Sequence, residues 1–367
     1  MHSDIIIVLV IATALAFDFT NGFHDTANAI ATSVSTRAMS PRFAVLLSAV
    51  LNFAGAFISL KVAATVGSGI VESSAVTTTV VFAGLIGAIA WNLATWYFGL
   101  PSSSSHALIG GVVGAAFAAS GTDAILGAGL LEKVIVPALV APVVAFVTAG
   151  ACILITYRMV GRLRPGSVNR GYRLGQIVSG SMFSLAHGTN DAQKTMGIIT
   201  LALIAHGNLP ADRFDVPVWV IVASASAIAL GTYTGGWRII RTVGSRIIKM
   251  DPAQGFAAQG AGAAVVLTAS HLGYPLSTTH VISGGVMGAG AAKRLSAVRW
   301  GVAGNIAIAW VLTLPASALI GAFVYGVSSL FGSGALGPVV VAVSLLATLV
   351  VAFARRLSQQ RMVAAEG

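Results

Sequence analysis

Two acidic motifs and two hydroxyl-rich motifs hold the residues of this chain that could do chemistry. FTNGFHDTANA (19–29) places Asp25 near Gly22, and LAHGTNDAQKT (185–195) places Asp191 near Gly188. Both motifs lie inside apolar stretches. A carboxylate at membrane depth costs at least ~2.5–3.5 kcal/mol, so it normally marks an ion path or an internal pair. A nearby glycine lets a helix break and expose carbonyls. Asn28 and Asn190 add the neutral oxygens that hard cations take as ligands. Asp25, Asn28, Asn190 and Asp191 are therefore expected to hold a coupling cation, H⁺ or Na⁺. The plainer alternative is a buried carboxylate with a local donor. Lys194, three residues beyond Asp191, suits that role, but recurrence of the motif argues against it.

The other pair is PSSSSHALIGGVVGAA, from Pro101, and PLSTTHVISGGVMGAG, from Pro275. Proline suits the first turn of a helix, and the hydroxyls after it cap the free backbone N–H groups. Such a helix start attracts anions. Ser103, Ser104 and Ser105, with Ser277, Thr278 and Thr279, are expected to surround one tetrahedral oxyanion. The alternative is ordinary capping and interhelical contact. Asp25 or Asp191 beside the anion would favour phosphate, whose protonated form donates to a carboxylate, over sulfate. His106 and His280 occupy matching positions and, with Lys194, are candidate proton or anion contacts; satisfied core histidines are the alternative. His24 and His187 flank the acidic motifs. Gly110, Gly111, Gly284 and Gly285 read as close-packing residues.

The elements that carry these motifs follow from composition. Of 367 residues, 56% are hydrophobic and 9% charged, with mean hydropathy +0.89. A soluble domain carries roughly 25% charged residues, so the expected solvent is a bilayer. The net charge of +10 does not imply nucleic acid, because the basic residues sit between apolar runs. With an external N-terminus, every basic cluster falls in the cytoplasm. The lone Cys152 excludes an internal disulfide. No signal peptide is expected, since Asp18 interrupts the first apolar run.

About eleven spans are legible, within a range of 10–12 membrane segments. Two are interrupted, at Ile5–Ser35 and Leu174–Ile204. The two motifs recur in the same order, and Asp25 precedes His106 at nearly the separation of Asp191 from His280. An odd number of spans per copy turns the second upside down, and inverted repeats are a signature of secondary transporters. The expected fold is an all-α polytopic membrane protein with two inverted-topology repeats, broken helices and re-entrant helical hairpins. Residues 1–157 form the first repeat, 158–173 a basic cytoplasmic linker and 174–327 the second repeat. Residues 328–367 form an extra C-terminal transmembrane helix and tail.

The strings GFHDTANAIAT, WNLATWYFGLPSSSSHALIGG, LAHGTNDAQKTMG and PLSTTH resemble the inorganic phosphate transporter (PiT) family, above all its bacterial low-affinity permeases. The resemblance runs from about Asp18 to the last span. It implies substrate held between hairpin tips and broken helices. By it, Asp25, Asn28, Asn190 and Asp191 match the signatures, and Ser103–Ser105 and Ser277–Thr279 the phosphate-binding hairpins. Sodium-coupled relatives carry Glu in the second span, where this chain has Asn52. That departure tilts the expectation towards protons, as in bacterial permeases that also accept metal–phosphate complexes.

The expected function is secondary active symport of inorganic phosphate, free or as a metal–phosphate complex, coupled to protons or sodium by alternating access. The alternatives are a transporter of another small oxyanion, such as sulfate or arsenate, and a passive anion channel. An enzyme is not expected, because no nucleophile–base pair or metal-ligand spacing stands out. Nor is a tightly bound cofactor. The expected partners are phosphate, a coupling cation and the lipid of a bacterial inner membrane, with a homodimer left open.

Overall fold

The computed structural model describes residues 2–348 and 351, apart from 211 and 333. The described residues form helices and no strand, with one isolated bridge between Val71 and Ile125. The first helices are α1 (His2–Ser35), α2 (Pro41–Gly55), α3 (Lys61–Ser68), α4 (Thr78–Phe98) and α5 (Ser104–Ser120). Then α6 (Gly127–Leu130) runs through a π-turn into α7 (Val136–Val160). The second series is α8 (Pro165–His206), α9 (Val218–Thr234), α10 (Trp237–Arg241), α11 (Pro252–Leu272), α12 (Thr278–Lys293) and α13 (Trp300–Ser329). Its order follows the first: a long helix with an aspartate, a broken pair, a helix, a shorter helix with a hydroxyl-rich start, and a long apolar helix. A last helix, α14 (Leu336–Thr348), follows; the tail, 352–367, lies outside the described residues.

The molecule is built with polar groups inside and apolar groups outside. Leu139, Val311, Leu319 and Phe323 are exposed, whereas Asp25, Asn28, Asn190, Asp191 and Lys194 are buried. Water could not solvate such an exterior; hydrocarbon can. Asp4–Ser35, Thr78–Phe98, Gly127–Val160 and Trp300–Ser329 are each long and apolar enough to cross a membrane. Val218–Thr234 and Trp237–Arg246 qualify as one bent span, with a 59° break. This is fewer than the crossings read from the sequence. Helices α2, α5 and α14 are apolar but shorter, and α8 carries a buried polar motif in its middle.

The expected breaks beside the aspartates are not there. Helices α1 and α8 run without interruption through Gly22 and Gly188. Both glycines serve close approach instead. A Cβ on Gly22 would lie 2.8 Å from the Thr232 nitrogen, and one on Gly188 2.6 Å from the Asn52 Cα. The breaks fall between α2 and α3 and between α9 and α10, on the elements packed against those glycines. The basic stretch 158–173 is largely helical, because Pro165 occupies the first turn of α8 and only 161–164 link it to α7.

Two short connections place the hydroxyl tips. Helix α4 ends on Gly99 (φ 65°) and α11 on Gly273 (φ 84°), each left-handed and each followed by a proline and the cap of the next helix.

Candidate functional site

The four motifs meet in one buried cluster. On α1, the Asp25 Oδ1 contacts His24 Nδ1 at 2.6 Å. It also accepts hydrogen bonds from Ser104 Oγ at 3.2 Å and Thr279 Oγ1 at 3.4 Å. One carboxylate oxygen therefore joins the tip of α5 to the tip of α12. Three residues on, the Asn28 amide donates to Thr278 Oγ1 at 3.2 Å and Thr279 Oγ1 at 2.8 Å. Its carbonyl Oδ1 is left buried without a partner.

The α8 motif is arranged in the same way. The Asn190 amide donates to Ser270 Oγ at 2.8 Å and the Tyr274 carbonyl at 3.1 Å, leaving its own Oδ1 free. Lys194 Nζ donates to Asp191 Oδ1 at 2.7 Å, to the Leu276 carbonyl at 2.8 Å and to Ser105 Oγ. The local pairing of Asp191 with Lys194 is thus present, but the lysine also reaches both tips. His187 Nε2 lies 3.3 Å from Asp191 Oδ2.

Asn52 sets the direction of that imidazole. His187 Nδ1 lies 3.1 Å from Asn52 Oδ1, which can only accept, while the Asn52 amide donates to Thr232 at 2.8 Å. The His187 ring thus spans Asn52 on one side and Asp191 on the other. Asp25, His187 and Asp191 each offer a ligand atom, all within 4.8 Å of one another, where they could hold a cation. His187, read from sequence only as flanking the acidic motif, and Asn52, read only as a departure from the sodium-coupled pattern, complete the cluster. The histidine sits four residues before Asp191, one helical turn away, which was the available signal.

The tips themselves are capped helix starts. Ser103 Oγ accepts from the His106 N–H at 3.1 Å and Ser277 Oγ from the His280 N–H at 3.3 Å. Ser105 donates to the Leu276 carbonyl at 3.1 Å, joining tip to tip. Both positive helix ends thus converge on the aspartates. Against the carboxyl groups of Asp25 and Asp191 the cluster sets one ammonium group, that of Lys194. An anion entering this cluster needs added positive charge. His106 and His280 stand apart. Their rings meet edge to face at 4.8 Å, and His280 stacks on Trp310 at 4.1 Å. Among the described residues, neither hydrogen-bonds Asp25 or Asp191. Ser103, Ser104, Ser105, Ser277, Thr278, Thr279, Asp25 and Asp191 are all at most 3% exposed, so the cluster is closed to both sides.

The chain resembles known proteins in sequence and in fold. The sequence profile of the phosphate transporter family matches residues 21–321. The chain belongs to that family. It is 53% identical over 327 residues to a probable low-affinity inorganic phosphate transporter of Mycobacterium bovis, covering 89% of this chain and 78% of the relative. A protein of the same description from Rhizobium meliloti is 52% identical, covering 87% of this chain and 96% of its own. For one from Bacillus subtilis the figures are 48%, 88% and 96%. A solved structure described as the sodium-dependent phosphate transporter superposes with a TM-score of 0.80 at 26% identity, covering 89% of this chain and 99% of that one. Members of the phosphate transporter family are named as transporters, not enzymes, and this member is a multi-pass bacterial membrane protein.

Proposed function

We propose that this protein imports inorganic phosphate by cation-coupled alternating access. The observation that carries the reading is Asp25, whose one oxygen is shared by Ser104 of the α5 tip and Thr279 of the α12 tip. Phosphate would enter between the tips. It would be surrounded by Ser103, Ser104, Ser105, Ser277, Thr278 and Thr279, replace the contacts that Ser104 and Thr279 make with Asp25, and meet Asp25 and Asp191 through its own protons. The unpartnered Asn28 and Asn190 carbonyls, with Asp25 and Asp191, would hold the coupling cation that offsets the anion's charge.

Residues 1–157 and 174–327 are read as two inverted repeats, whose relative rocking opens the closed cluster to one side and then the other. The recurring element order supports this division, and 328–367 stands outside it. Sodium coupling is supported by the described sodium dependence of the structural neighbour. Proton coupling is supported by Asn52 standing where a carboxylate would add negative charge beside His187. Radiolabelled phosphate uptake into proteoliposomes, with proton and sodium gradients imposed separately, decides between the two. Accumulation under neither gradient would refute coupled transport, and equal uptake of sulfate would refute the assignment to phosphate.

A further inference from the structure

Asp18 lies on α1 seven residues before Asp25 and takes no part in the cluster above. It is fully buried, and neither carboxylate oxygen has a hydrogen-bond partner. An unpaired charge in such a place is expensive enough that something must neutralise it. Lys194 does not. Its three N–H donors are taken by Asp191, Ser105 and the Leu276 carbonyl. The charged groups that act on Asp18 are Asp191 and Lys194, both from α8, one repelling and one attracting.

The remaining neighbours supply oxygen. The Thr195 hydroxyl faces Asp18, and its Oγ1 has no hydrogen-bond partner of normal geometry. Asn21, one turn along α1, is buried with its carbonyl Oδ1 unpartnered. Asp18, Asn21 and Thr195 thus present buried oxygens whose contact is, at most, the Thr195 hydroxyl turned to Asp18. This donor set suits a hard monovalent cation, or a proton on the carboxyl passed to a neighbouring acceptor. Asp18, Asn21, Asp25 and Asn28 recur at three- and four-residue intervals, so they share one face of α1.

We propose that Asp18, with Asn21 and Thr195, forms a second site for the coupling cation, Na⁺ or H⁺, about 10 Å along α1 from Asp25. The site rests on the cation-coupled transport proposed above. It adds one positive charge to the cycle at a carboxylate that phosphate does not reach.

The test uses the full chain in proteoliposomes and measures cations moved per phosphate, with Na⁺ and pH gradients imposed in separate arms. The arm that drives the unaltered protein identifies the cation. In that arm Asp18→Asn should move one cation fewer per phosphate, and Asp18→Glu should keep the original ratio. An unchanged ratio in Asp18→Asn would overturn the site. If Asp18→Asn fails to insert, Thr195→Val substitutes for it. Loss of one hydroxyl ligand should then raise the half-saturating cation concentration about five-fold, and an unchanged value overturns the site. Failure of the unaltered protein to accumulate phosphate would sink both readings; accumulation with an unchanged ratio would sink this one alone.

Discussion

Replacing Lys194 by Met tests the charge arrangement of the cluster most directly. The lysine is 1% exposed and bonds Asp191 at 2.7 Å. Its removal leaves Asp191 with the His187 imidazole, 3.3 Å away, and no ammonium group beside it. Breaking a buried pair from one side costs about 3–5 kcal/mol, because the surviving charge stays desolvated. That lowers the folded-to-unfolded ratio at least about a hundred-fold, at about 1.4 kcal/mol per decade. The double variant Lys194→Met with Asp191→Asn removes both charges. What then remains lost is the donors to Ser105 and the Leu276 carbonyl, roughly 1–3 kcal/mol in all. The double variant should therefore be more stable than the single one. Denaturant titration of the detergent-solubilised protein reads this ordering, and radiolabelled uptake should be abolished in both. A Lys194→Met protein as stable as the unaltered one would refute the reasoning, since Asp191 would then not depend on the lysine charge.

Further outcomes follow from the same geometry. Asp25→Asn and Asp191→Asn should each abolish phosphate accumulation while the protein still inserts and resists protease; normal uptake by both would remove the aspartates from the site. Asn28→Ala loses two hydrogen bonds to the α12 tip, worth about 1–3 kcal/mol. If they hold the phosphate-competent arrangement, half-maximal uptake should need roughly 5–150 times more phosphate, read from initial rates. Ser104→Ala with Thr278→Ala should also raise that concentration, and an unchanged value would leave these hydroxyls as structural contacts only. Gly22→Ala forces a methyl against the α9 backbone and should cost about 1–3 kcal/mol, seen as a lowered unfolding midpoint; an unaltered midpoint would show that α1 and α9 separate freely there.

The sequence by itself determined the solvent and the helical class, and it marked the duplicated polar motifs. Nine per cent charged residues cannot cover a water-facing surface of this size. The duplicated Asp and Pro–hydroxyl motifs were legible as local strings, and their caps form as local chemistry dictates, with Ser103 and Ser277 each closing the N–H three residues on. Tertiary structure alone decided what those groups touch. Asn28 bonds Thr278 and Thr279 some 250 residues away, and no local pattern encodes a contact at that separation. The same holds for Lys194, which a local reading pairs with Asp191 but which also reaches Ser105. Gly22 and Gly188 looked like helix breakers because glycine permits a break. The facing backbones of α9 and α2 made them contact points instead, since only a residue without a Cβ fits there. Asp18 looked like a mere interruption of an apolar run. Packing of α8 against α1 buried it without a partner, and only that burial turns an isolated acid into a candidate site.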